Sequence, residues 1–231
     1  MSQVTLAQQI AAWILPVLLA ITVHETAHGW VASRLGDQTA KMLGRLTLNP
    51  LKHIDPVGTI LVPALMLMLP GGVVFGWAKP VPVDWRHLRH PRRDMGWVAV
   101  AGPASNLLMG VGWALVVRIA GLLGPDNWAA LPLLFMGVAG IFINTILMVL
   151  NLLPLPPLDG GRVAVGLLPP RIAVRYARIE PWGIWILLAL LMTGMLGWLM
   201  WPLVSLVMVL LAKLAGMAPH QLQAILSMLM S

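Results

Sequence analysis

Residues 24 to 28 read His-Glu-Thr-Ala-His. Side chains four apart share one face of an α-helix, so His24 and His28 can offer two imidazoles to one metal ion with Glu25 beside them. A glutamate directly after the first of two such histidines completes an H-E-x-x-H arrangement, which pairs a zinc ion with a general base for peptide hydrolysis. Catalytic zinc takes three protein ligands and keeps one position for water, so a third ligand must come from elsewhere. The candidates are few, because the chain has only six histidines and eight acidic residues. His87 and His90 stand among arginines and His220 lies in a polar patch near the C-terminus, positions that suit solvent. Asp159 differs. It ends the stretch Asn-Leu-Leu-Pro-Leu-Pro-Pro-Leu-Asp, residues 151–159, where three prolines stop a helix, and the two glycines that follow let the chain turn sharply. A carboxylate delivered there can complete a His, His, Asp site.

The elements that must position these groups are membrane-spanning helices. At 231 residues, 59% hydrophobic and 10% charged, the composition is that of an all-α polytopic membrane protein. Apolar runs at residues 10–32, 95–123, 131–153 and 182–201 each approach or exceed the roughly 20 residues needed to cross a bilayer. Four to six spans are expected. The net charge of +7 does not point to nucleic acid, because most of the bases flank the apolar runs. Arg34, Lys41, Arg45 and Lys52 follow the first run, Arg86, Arg89, Arg92 and Arg93 precede the second, and Arg162, Arg171, Arg175 and Arg178 follow the third. These loops read as cytoplasmic in an inner cell membrane, which puts the N-terminus outside and opens the site toward the cytoplasm. No basic leader with a cleavage site precedes the first run, so that run is expected to stay in the mature protein. Cysteine is absent, which excludes disulfides and thiolate metal sites. No feature of the sequence sets an oligomeric state.

Residues 57–78 conflict with simple alternation, since both flanks are basic. A re-entrant element resolves the conflict: a short helix from Pro56 to about Leu69, a turn at Pro70–Gly72, and a returning strand over residues 73–84. Irregular backbone at that depth must be buried in protein or line a wet cavity, so a membrane-embedded active-site cavity is implied. A conventional short span with an atypical loop is the alternative. His24 and His28 lie ten and six residues before Arg34, roughly 9 to 15 Å inside the cytoplasmic boundary. Ionisable groups at such depth are costly and mark function.

Together, His24-Glu-Thr-Ala-His28 and the 151–161 stretch resemble the site-2 protease family of intramembrane zinc metalloproteases, whose pattern joins an H-E-x-x-H helix to a later N-x-x-P-x-P-x-L-D-G motif. Residues 44–63, 76–84 and 101–106 resemble its compact branch, which has no PDZ domain. The resemblance covers roughly residues 7–180, within a single domain of residues 1–231 whose last helices occupy 181–231. It implies one Zn2+ per chain, His24, His28 and Asp159 as ligands, Glu25 as catalytic acid/base, and Asn151 near the active site. The substrates implied are transmembrane proteins cut within the lipid bilayer.

From the residues themselves, Asn151 suits either a donor to the tetrahedral oxyanion or an interhelical hydrogen bond. Val73, Val74, Phe75, Gly76 and Trp77 lie in the strand-like stretch and are candidates for pairing with an unwound substrate. His53 sits before the re-entrant element and suits either the cavity mouth or a local turn. Gly102, Asn106, Gly110 and Ala114 recur every four residues, a small-residue stripe for close helix packing, and Asn106 reads as part of that packing. A non-proteolytic metal-binding protein or a transporter is the competing class. Such a protein has no need of a glutamate directly after the first histidine.

Overall fold

The computed structural model of the chain describes residues 4–67, 76–124 and 126–231. Its first helix, α1, runs from Leu6 to Leu35. Thr5 and Gln8 cap it reciprocally, each side chain bonding the other's backbone N–H. Gly36, at φ 122°, ends it. A Cβ there would lie 2.9 Å from the His87 carbonyl oxygen, so glycine also permits a close approach of two loops. One helical turn, α2 (Thr39–Met42), follows.

Residues 56 to 67 form a wide helical turn, Pro56–Leu61, that continues into α3 (Val62–Leu67). Val73, Val74 and Phe75 lie outside the described residues, as does the expected turn at Pro70–Gly72. From Gly76 the chain runs back beside its own entrance. The Trp77 N–H donates to Gly58 O at 3.0 Å, and the Lys79 N–H to His53 O at 2.9 Å.

The expected strand does not form over the described part of that return. Gly76 to Asp84 joins no ladder, and the described residues contain no strand. Pro80 and Pro82 have no N–H to give, and the adjacent backbone is loop and helix rather than a second strand.

The long helix α4 (Pro91–Leu123) starts where Asp94 accepts the His90 N–H at 2.9 Å. Its small-residue stripe is buried as expected, with Gly102, Asn106, Gly110 and Ala114 all facing neighbours. The apolar helix α5 (Ala130–Leu152) lies at the centre, against α1, α4 and α9. Gly137 and Gly140 let it touch α4, since added Cβ atoms would fall 2.5 Å from the Val117 side chain and 2.3 Å from the Trp113 ring. Prolines 154, 156 and 157 end α5, and α6 (Asp159–Leu167) opens on the aspartate. Gly160 is required there, because a Cβ would meet Leu152 O at 2.3 Å.

After α7 (Pro170–Ala177), the expected span at 182–201 is broken. Gly194, at φ 73°, separates α8 (Glu180–Met192) from α9 (Met195–Leu214). Left-handed backbone cannot continue a helix, so the apolar run divides there. Among the described residues, the helices long and apolar enough to cross a membrane are therefore α1, α4, α5 and α9. With 13 residues, α8 reaches only about 20 Å of a roughly 30 Å core. The last helix, α10 (Pro219–Met230), returns to α1, where Gln9 and Trp13 donate to its terminal carbonyls at Met228 and Leu229.

Candidate metal centre

His24 and His28 project from one face of α1 toward α4, and Asp159 reaches the same point from the first turn of α6. The His24 and His28 Nε2 atoms are 3.1 Å apart. Each is 3.3 Å from Asp159 Oδ2. All three side chains are buried.

Hydrogen bonds decide which ring nitrogens face one another. His28 Nδ1 lies 2.7 Å from the Val98 carbonyl, which can only accept, so that nitrogen carries the proton. His24 Nδ1 lies 2.6 Å from Asn106 Oδ1. The orientation of that amide follows from its partners: Nδ2 of Asn106 donates to Ala20 O at 3.3 Å and to Asn144 Oδ1 at 2.9 Å. Asn144 in turn donates to Gly140 O at 2.9 Å. In its neutral form each ring therefore turns an unprotonated Nε2 toward the cluster.

Two lone pairs and a carboxylate oxygen at such separations repel unless a cation lies among them. Asp159 Oδ2 is buried and accepts no hydrogen bond. Ligands held tetrahedrally at the 2.0–2.1 Å typical of zinc stand about 3.3 Å apart, which the three separations match. The donor set is that of zinc, and the two Nδ1 contacts are the outer bonds that normally orient such ligands.

Gly102 forms the wall. A Cβ on it would lie 2.5 Å from His24 Cε1 and from His28 Nε2. Glu25 stands beside the cluster with Oε2 accepting the Val81 N–H at 2.8 Å. Val81 reaches it because Gly29 leaves room; an added Cβ would meet the Val81 side chain at 2.8 Å.

The chain is 41% identical over 183 residues to a Bacillus subtilis protein named "Putative zinc metalloprotease YwhC", an alignment that covers 78% of this chain and 80% of the relative. The Rip2 proteins of Mycolicibacterium smegmatis and Mycobacterium tuberculosis carry the same description. They are 34% and 31% identical over 186 and 184 residues, which is 80% and 79% of this chain and 66% of each relative. The chain belongs to the site-2 protease family. No family model and no solved structure matches it.

Asn151 lies near the end of α5, where its Nδ2 donates to Leu147 O of the same helix at 3.0 Å. His53 is buried at 2% exposure, its Nε2 donating to Thr47 O at 2.9 Å. The same Thr47 oxygen lies 2.9 Å from the hydroxyl of Thr26, so His53 braces the loop against α1. Gly76 and Trp77 lie on the returning limb beside Gly58. His87, His90 and His220 are at the exposed surface, as expected of solvent-facing residues.

Asn106 is what sequence reasoning missed. Its spacing in a small-residue stripe concealed that it bonds a candidate ligand. The available signal was an amide in the middle of an apolar span, where any polar group needs a reason.

Proposed function

We propose that this chain is an intramembrane zinc endopeptidase that hydrolyses peptide bonds in or near the transmembrane segments of other proteins. The observation carrying the reading is the convergence of Asp159, from α6, on His24 and His28, which together with Glu25 stand on a helix long and apolar enough to cross a membrane. The relatives' names support the zinc assignment. His24, His28 and Asp159 hold the ion in this reading. When bound, zinc lowers the pKa of its water to about 7 and polarises a carbonyl.

The chain's own groups do the rest. The Val81 N–H holds Oε2 of Glu25, which leaves Oε1 to take a proton from the attacking water and return it to the leaving amine. The amide of Asn151 is the donor proposed for the tetrahedral oxyanion, released from Leu147 O when substrate enters. The Gly76–Trp77 limb, with Val73, Val74 and Phe75 before it, is the proposed partner of an unwound substrate, and His53 supports that limb through Lys79. Donors are fewer than the sequence suggests. Trp77, Lys79 and Val81 give their N–H groups to Gly58, His53 and Glu25, and prolines occupy 80 and 82. Among the described residues, Gly76, Ala78 and Val83 are left to offer an N–H to a substrate backbone on the return.

Paired variants test the assignment. Glu25→Gln is expected to keep one zinc per chain and to lose cleavage of a model transmembrane substrate, because an amide cannot accept the proton. Asp159→Ala is expected to lose the metal itself. Zinc analysis and cleavage assays check both. Robust turnover by Glu25→Gln sinks the mechanism, and full zinc occupancy in Asp159→Ala removes that residue from the site.

A further inference from the structure

A cavity of about 550 Å3 lies on the outer side of the seam between α1 and α4. Trp30 and Trp97 wall it, and both are more than half exposed. Its floor is apolar, formed by Val31, Val100 and Ala104 among others. Arg34 and Arg93 stand at one end. The two helix ends that carry them are tied at one level, since the Arg89 N–H donates to Leu35 O at 3.0 Å.

Neither arginine is neutralised by an acid among the described residues. Arg34 lies over the Trp30 ring at 5.2 Å, and Arg93 has no ion pair. Asp94 is the one acid lining this end; it is 4% exposed and its Oδ2 is engaged by the His90 N–H. From Arg93 to Ala104 the groove follows α4 for about 16 Å, half the roughly 30 Å hydrocarbon core. The cavity is thus cationic at the interface, aromatic at headgroup level, and apolar to the depth of one leaflet.

We propose that this groove binds one anionic phospholipid, its phosphate between Arg34 and Arg93 and an acyl chain along α4 toward Ala104. Guanidinium groups recognise phosphate oxygens with paired hydrogen bonds, and basic clefts between membrane helices suit anionic headgroups. Tryptophan on both walls matches the level at which indoles meet the headgroup region. A free phosphate uses only the cationic end and explains neither the apolar floor nor its length. The inference needs α1 and α4 to lie in a membrane. It does not rest on the peptidase reading.

Native mass spectrometry of the detergent-purified protein, titrated with phosphatidylglycerol or phosphatidylcholine of identical chains, tests it. Wild type is expected to retain phosphatidylglycerol at a roughly tenfold lower lipid concentration than phosphatidylcholine. Arg34→Gln with Arg93→Gln is expected to lose that preference. Ala104→Phe, which fills the floor and keeps both arginines, is expected to lose it as well, and millimolar inorganic phosphate is expected not to displace the lipid. Should the double variant fail to fold, Arg93→Gln alone gives the same readout, since that exposed side chain has no partner to lose. Equal retention of the two lipids by wild type overturns the proposal, and so does undiminished preference after loss of the arginines. Undiminished preference in Ala104→Phe shows surface adsorption and overturns the groove, and displacement by inorganic phosphate reduces the site to an anion contact.

Discussion

Asn106 shows how one buried amide can serve two neighbours at once. Its Oδ1 fixes the His24 ring, while its Nδ2 is fixed by Ala20 and by Asn144, so the imidazole's orientation depends on a chain of amides crossing from α5 through α4 to α1. Removing such an outer partner typically lowers metal affinity 10- to 100-fold. Asn106→Ala is therefore expected to fold and to bind zinc about 10- to 100-fold more weakly, measured by competition with a chelator of known affinity. An unchanged affinity would mean that packing alone orients His24. Gly102 acts by absence, since any side chain there enters the space between the two imidazoles.

Two contacts set the elements around the site. The Pro80-Val81-Pro82 sequence presents a single backbone N–H, and that donor goes to Glu25. A hydrogen bond to a charged group contributes about 1.5–3 kcal/mol, so its loss corresponds to roughly ten- to a hundredfold in rate. Val81→Pro is expected to retain zinc and to slow cleavage by that factor, whereas Val81→Ala, which keeps the donor, should slow it much less. Equal rates for the two variants would show that the donor is not used.

The second contact is Asp37, fully buried just past α1, which accepts from the Thr39 N–H at 2.9 Å and the Asp84 N–H at 2.8 Å. Burial pushes its carboxyl up, but the Thr39 and Asp84 hydrogen bonds and nearby His87 outweigh it and hold the group below its ordinary 3.8. A depressed carboxylate stabilises the fold above the unfolded-chain value, and this contribution is lost as pH falls through the lower folded value. Melting temperatures of wild type are thus expected to drop below about pH 4 more steeply than those of Asp37→Asn. Parallel curves would show that Asp37 does not tie α1 to the returning limb.

At the scale of the molecule, the basic loops predict a single orientation. The absence of cysteine makes it testable, because introduced thiols are the only ones present. Lys52→Cys and Arg86→Cys, both at exposed positions, are expected to react with an impermeant reagent from the cytoplasmic side, and Trp128→Cys from the other. Labelling of 52 and 86 from opposite faces would make residues 57–78 a true crossing and reverse every later helix.

The sequence by itself determined the solvent, three of the four spans and the candidate ligands. Each is a local matter: an apolar run of given length, a four-residue spacing on one helix, a carboxylate between prolines and glycines. The division of the fourth run was legible only as Gly194, and glycine inside an apolar run does not announce a left-handed turn until the neighbouring helices have packed. The Pro-Val-Pro segment likewise read as a strand, because its composition suits one. Whether a strand forms depends on a partner, and here the neighbours are a loop carbonyl and a glutamate. Only tertiary structure assigned Val81 to Glu25 and Asn106 to His24, contacts spanning 56 and 82 residues of chain, for which no local rule exists.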